Sequence, residues 1–226
     1  MNTRSLVAEF LGTFFLCFAG IAAIISTGAP INSGAGLVGI ALAHGLALSV
    51  AVNAFGGISG AHFNPAVTLG FLSTGRISVP AAGGYIVTQL IGATVAALAC
   101  SVIFPAESID AAKLGIPLPA GWATSGVVLL AEFIMTFLLM TAIFGTAVDE
   151  RGRAVKIGGF GIGLTVAFDI LAGGAVTGAS MNPARSFGPA LVYGLWDWHW
   201  AYWIGPPAGA IVAALLYHNV LLEKKS

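Results

Sequence analysis

The chain has 226 residues, 58% of them hydrophobic and 8% charged, with nine basic and nine acidic side chains and no net charge. A soluble domain carries about 25% charged residues, so this composition excludes an ordinary water-soluble fold and makes lipid the principal solvent. The neutral balance, without any basic block, excludes nucleic acid as a partner.

Charges punctuate the chain. The first apolar run, residues 5–27, is long enough to span a bilayer and has no cleavage site after it, so it is read as a retained helix rather than a secretory signal. Cys17 lies in it, and Cys100 lies in a later apolar run; both are expected as buried free thiols. A turn-rich loop from Gly28 to Gly34 follows, then a second span over residues 37–55. The glycine-rich Gly56-Gly57-Ile58-Ser59-Gly60 leads to Asn64-Pro65-Ala66. Asn is a good helix N-cap and Pro is favoured at the first helical position, so a helix starts there. It runs only to about Gly75, before Arg76 and Pro80. Roughly ten residues reach ~15 Å, half of a hydrocarbon core that is ~30 Å thick.

A third span covers residues 79–104, and a loop carries Pro105, Glu107, Asp110, Lys113, Pro117 and Pro119. The fourth span, residues 124–148, ends at the charged run Asp149-Glu150-Arg151-Gly152-Arg153. A fifth covers residues 157–171. Gly173, Gly174 and Gly178 then lead to Asn182-Pro183-Ala184 and a second short helix ending near Gly194, with Pro189 as a candidate kink. The sixth span, residues 200–222, opens with Trp196, Trp198, Trp200, Tyr202 and Trp203, read as an interfacial aromatic belt.

The expected fold is therefore an all-α membrane protein of six transmembrane helices plus two re-entrant half helices. Residues 1–226 form a single domain of two repeats, approximately 1–113 and 114–226. Three spans separate the two Asn-Pro-Ala copies, so the copies enter the membrane from opposite sides, as in an inverted repeat. Arg4, Arg76, Arg151, Arg153, Lys156, Lys224 and Lys225 fall on one side of that topology and Lys113 on the other, which places both termini in the cytoplasm.

Re-entrant backbone is tolerated where it lines water. The carbonyls around Gly60, Ala61 and His62 and around Gly178, Ala179 and Ser180 are expected to line such a path. Each half helix aims a partial positive charge at the midplane, a barrier to cations that neutral molecules do not meet. The amides of Asn64 and Asn182 are placed to donate to a passing water and interrupt proton hopping. Arg185, three residues after Asn182, is too costly in lipid unless it lines the path or is paired. No metal-ligand set, cofactor motif or catalytic constellation is present in the sequence, so neither an enzyme nor a cofactor is expected.

The segments Ser59-Gly60-Ala61-His62-Phe63-Asn64-Pro65-Ala66-Val67-Thr68 and Gly178-Ala179-Ser180-Met181-Asn182-Pro183-Ala184-Arg185-Ser186-Phe187-Gly188-Pro189-Ala190 resemble the aquaporin, or major intrinsic protein, family. The resemblance covers essentially the whole chain. It implies a right-handed bundle, one pore per subunit, a homotetramer, and water as the permeant. By resemblance the selectivity filter is His44, Ile170, Ala179 and Arg185, a set similar to that of plant vacuolar (tonoplast) members. The resemblance also makes Glu9 and Glu132 braces for the re-entrant loops. Ser186, where glycerol facilitators usually carry Asp, is similar to the water-selective branch, as are Ala190 and Tyr202-Trp203. The short termini suit a prokaryotic member of an inner (plasma) membrane.

The alternatives are a broader channel for ammonia, hydrogen peroxide, urea or glycerol, and a proton-coupled transporter. Asp169 is the sole titrating candidate for the latter beyond the two glutamates. It is expected to face a neighbouring helix or subunit, or the outer mouth.

Overall fold

The computed structural model describes residues 2–223, so Lys224 and Lys225, which were counted in the charge bias, lie outside it. Among the described residues the fold is wholly helical. The long helices are α1 (Thr3–Thr27), α2 (Gly36–Ser59), α4 (Val79–Ile103), α6 (Ser125–Ile143), α8 (Gly158–Thr177) and α10 (His199–Leu216). The short ones are α3 (Pro65–Ser73), α5 (Ala106–Ala112), α7 (Glu150–Arg153) and α9 (Pro183–Tyr193). Wider π-type turns, Phe144–Val148 and Tyr217–Leu221, extend α6 and α10. With those extensions, six helices among the described residues are long and apolar enough to cross a bilayer. The half helices α3 and α9 have 9 and 11 residues. Pro189 lies inside α9, which runs past it to Tyr193.

Two spans are longer than the sequence predicts. α2 takes in Gly56 and Gly57 and runs to Ser59, capped by Gly60; α8 takes in Gly173 and Gly174 and runs to Thr177, capped by Gly178. A helix in lipid satisfies its own backbone, so a glycine pair does not break it while the segment stays in the membrane. The break comes at the glycines with left-handed backbone, φ +86° at Gly60 and φ +80° at Gly178. There the N–H groups close back on the carbonyls of Gly56 and Gly174 at 3.0 and 3.1 Å. The connection after α4, predicted as a loop, contains α5 and a single 3-10 turn.

α1 packs on α2 and α4, and α6 packs on α8 and α10. The halves interlock crosswise: α3 lies against α10, and α9 lies against α4. Small residues set the crossings. A methyl group on Gly163 would meet the Gly45 carbonyl at 2.2 Å, and one on Gly209 would meet the Phe133 carbonyl at 2.2 Å. Such contacts let backbones approach and gain dispersion energy where no hydrophobic drive exists between helices. Outward stripes such as Val38, Leu42, Leu46 and Val50 on α2 are exposed, as expected for surfaces solvated by lipid.

Candidate functional site

In each of the two re-entrant loops, residues 60–63 and 178–181, three of the four residues have positive φ, beginning with Gly60 and Gly178. Ala61 and Phe63 sit at φ +54° and +51°, and Ala179 and Met181 at φ +43° and +53°. Left-handed backbone costs a non-glycine residue about 1–2 kcal/mol, so each loop needs external hydrogen bonds to hold it. Two buried glutamates supply them.

Glu9, from α1, accepts through Oε1 from the Ser59 hydroxyl at 2.6 Å and the His62 N–H at 3.0 Å. Its Oε2 accepts from the Phe63 N–H and from Gln89 Nε2, both at 2.7 Å. Glu132, from α6, accepts through Oε1 from the Thr177 hydroxyl at 2.7 Å and the Ser180 N–H at 2.9 Å, and through Oε2 from the Met181 N–H at 2.8 Å. Tyr85 donates its hydroxyl to the Ser59 carbonyl, and Tyr202 donates to the Thr177 carbonyl, each at 2.7 Å. Tyr202 is therefore a buried loop tie and not part of an interfacial belt; Trp196 and Trp200 remain exposed there. Pro206 stands one turn after Tyr202 where Gln89 follows Tyr85, so Glu132 has three donors and Glu9 has four.

These loops deliver two opposed helix starts. Asn64 caps α3 by accepting from the Ala66 N–H at 2.8 Å. Asn182 caps α9 by accepting from the N–H groups of Ala184 and Arg185, at 2.9 and 3.3 Å. Each side-chain nitrogen donates across the junction: Asn64 Nδ2 to the Met181 carbonyl at 2.8 Å, and Asn182 Nδ2 to the Phe63 carbonyl at 2.9 Å. A primary amide has two N–H bonds, so one on each Asn is left to face the space between them.

That space is a narrow cavity of about 30 Å³. Asn64 and Asn182 line it together with His44, Ile170, Ala179 and Arg185, so the four residues expected to act together do converge. Ala61, His62, Phe63, Ser180 and Met181 line it from the loops, and an apolar wall includes Leu48, Val67 and Val166. Ala61 and His62 also line a larger vestibule of about 640 Å³, together with Gly60. Arg76, Arg153 and Lys156 stand around that vestibule, and among the described residues no acidic side chain does. Gly178 lines neither space; a methyl group on it would meet Pro117 Cα at 2.7 Å.

Arg185 Nη1 donates to the Gly115 carbonyl at 2.6 Å, while its Nε is buried without a partner among the described residues. Gly115 was not singled out from the sequence. A glycine in a proline-rich loop carries no signal that its carbonyl reaches a residue 70 positions away. His44 Nδ1 lies 2.8 Å from the Ile40 carbonyl. A carbonyl only accepts, so Nδ1 carries a proton, and in the neutral ring Nε2 is an acceptor. His62 holds Thr68 Oγ1 at 3.1 Å through Nδ1 and stacks on Phe71 at 4.4 Å.

Asp169 lies off the path. It is 1% exposed, inside the protein on the flank of α8, so it faces neither another subunit nor the outer mouth. Its Oδ2 has no partner among the described residues, and Glu132 is the charged group that acts on it.

Comparison with known proteins agrees with this geometry. Residues 1–217 match the family model described as major intrinsic protein. The chain is 42% identical to aquaporin TIP4-4 of Zea mays, covering 98% of this chain and 88% of the relative. It is 44% identical to probable aquaporin TIP3-2 of Arabidopsis thaliana (98% and 85%) and 40% identical to aquaporin NIP1-2 of the same plant (98% and 76%). Among solved structures it resembles the X-ray structure of the aquaglyceroporin from Plasmodium falciparum, with a TM-score of 0.86, 25% identity, and coverage of 98% and 97%.

Proposed function

Because the chain belongs to the major intrinsic protein, or aquaporin, family, we propose that this integral multi-pass membrane protein is a passive water channel that excludes ions and protons. The observation that carries the reading is the meeting of two capped helix starts, at Asn64 and Asn182, on a cavity that shares Ala61 and His62 with the larger vestibule. Both helix ends present about half a positive charge, so a cation or hydronium meets repulsion from two directions. The second N–H of each Asn orients a water whose own hydrogens then point away in both directions, and a proton relay is broken at that molecule.

Selectivity among neutral solutes falls to His44, Ile170, Ala179 and Arg185. Arg185 supplies fixed positive charge and donors, and His44 Nε2 supplies an acceptor. Ile170 removes a polar wall, and Ala179 leaves width. That small, half-apolar set also supports a second reading, a channel that admits ammonia, hydrogen peroxide, urea or glycerol as well as water. The carboxylate candidate for a proton-coupled transporter, Asp169, is off the path, and the titratable rings that line it, His44 and His62, are held by the Ile40 carbonyl and by Thr68.

The channel unit is residues 1–226, with repeats of approximately 1–113 and 114–226. The paired use of Glu9 and Glu132, and of Tyr85 and Tyr202, supports that division. A homotetramer in the inner (plasma) membrane with cytoplasmic termini is the assembly we propose. The basic residues Arg76, Arg153 and Lys156 gathered at one mouth support that orientation.

Stopped-flow light scattering on proteoliposomes tests the function. Water permeability well above that of empty vesicles, with glycerol and urea excluded and no proton leak, is the expected result. Glycerol flux rivalling water flux would overturn water selectivity, and permeability equal to that of empty vesicles would overturn the channel.

A further inference from the structure

We propose that Gly20 on α1 is a positioning residue that sets the width of the filter by providing the recess in which the His44 imidazole lies. The inference rests on the channel reading above and extends it to a residue that does not itself line the path.

His44 is buried, and one edge of its ring is tied by Nδ1–H to the Ile40 carbonyl one turn back on α2. At the opposite end of the ring, the face of the imidazole around Nε2 lies over Gly20 of α1. A methyl group built on Gly20 would lie 2.1 Å from His44 Nε2, 2.5 Å from Cε1 and 2.6 Å from Cδ2. All three distances fall short of van der Waals contact by roughly an ångström, which close-packed interiors do not absorb. The ring therefore occupies the volume that any side chain at position 20 would fill.

α1 has little room to retreat. One residue further, Ile21 is buried with its backbone against the loop after α5; a methyl group on Gly115 would lie 3.3 Å from Ile21 Cα. On another face, a methyl group on Gly92 of α4 would meet the Phe10 carbonyl of α1 at 2.6 Å. Nor can His44 move sideways into α8, because the neighbouring Gly45 already abuts the Gly163 carbonyl. The open direction is the cavity. Residues 20 and 21 thus back both polar members of the filter: Gly20 receives His44, and Ile21 supports the loop whose Gly115 carbonyl holds Arg185. Bulk at position 20 drives the imidazole towards the lumen that Arg185, Ile170 and Ala179 share with it.

The test compares wild type, Gly20→Ala, His44→Ala and Gly20→Ala/His44→Ala in proteoliposomes, with flux normalised to folded protein. Gly20→Ala is expected to lower water permeability about ten-fold, the lower end of what one carbon decides in a fitted site. The double variant is expected to return to the level of His44→Ala alone, a rescue that a purely structural role for Gly20 does not give. Wild-type flux in Gly20→Ala overturns the proposal. So does a loss of flux or of folding that removal of the His44 ring does not relieve. If wild type itself conducts no water, the channel reading fails, and the proposal is judged on the structure of Gly20→Ala. There, displacement of the imidazole away from α1 sustains it, and an unmoved ring overturns it.

Discussion

Asn64 and Asn182 each hold the loop that delivers the other. The Asn64 amide donates to the Met181 carbonyl, one residue before Asn182, and the Asn182 amide donates to the Phe63 carbonyl, one residue before Asn64. The two half helices are thereby fixed to one another at their starts, and neither loop is set independently.

Asn182→Ala removes that tie along with a cap that accepts from two N–H groups. Loss of an N-cap costs ~1 kcal/mol, and an orphaned buried carbonyl ~1–3 kcal/mol. The expected sum is about 2–4 kcal/mol of stability, read as a lower unfolding temperature in detergent. Asn182→Asp, which keeps the cap but sets a buried carboxylate oxygen against the Phe63 carbonyl, should lose at least as much stability as Asn182→Ala. Equal unfolding temperatures for all three would refute the reciprocal tie.

The two glutamates should differ in their tolerance of amidation. Glu9→Gln places a donor nitrogen against two donors, whichever oxygen it replaces. Glu132→Gln can place its nitrogen where Met181 N–H is the sole donor. Hydrogen bonds to charged groups contribute ~1.5–3 kcal/mol each. Glu9→Gln should therefore lose more water permeability and more thermal stability than Glu132→Gln. The reverse ranking in proteoliposome flux would show that the loops are held elsewhere.

Asp169→Asn should leave water flux unchanged and hold or raise the unfolding temperature. The native carboxyl is buried with Oδ2 unpaired among the described residues, and a buried unpaired polar group is unfavourable. Loss of flux in this variant, or flux in wild type driven by a proton gradient, would return Asp169 to the permeation mechanism.

In the connection between α6 and α8, hydrogen bonds from Arg151 hold the Asp149 carboxyl down at about 2, against an ordinary 3.8. Arg151 also donates to the Leu221 carbonyl at 2.7 Å, so the pair joins the loop after α6 to the end of α10. A carboxyl depressed in the folded state stabilises it above the ordinary value, and that contribution is lost as pH falls towards about 2. Arg151→Gln should move the acid limb of a stability-against-pH curve upward, towards the ordinary carboxylate range. An acid limb that does not move would mean that the pair contributes nothing.

Much of this molecule is local and so legible in the sequence. In lipid each spanning segment must satisfy its own backbone, which makes six helices readable from run length alone. The two short helices were readable because an Asn cap followed by Pro acts within one turn. Their opposed entry followed from counting the spans between them. Arg185 stood out because lipid makes a lone guanidinium costly.

Contacts between distant segments were decided by tertiary structure. The long helices are apolar on every side, so periodicity does not mark which face turns inward, and Tyr202 passed for an interfacial ring until its hydroxyl met the Thr177 carbonyl. Gly56 and Gly173 read as breaks, yet helix continues to the residues where φ turns positive. The cavity shared by His44, Ile170, Ala179 and Arg185 shows the division plainly. His44 and Arg185 were identifiable as residue types at positions, but where their polar atoms sit depends on the Gly115 carbonyl and on the empty volume at Gly20. Neither a backbone carbonyl nor a missing side chain leaves any mark in sequence at the residue it positions.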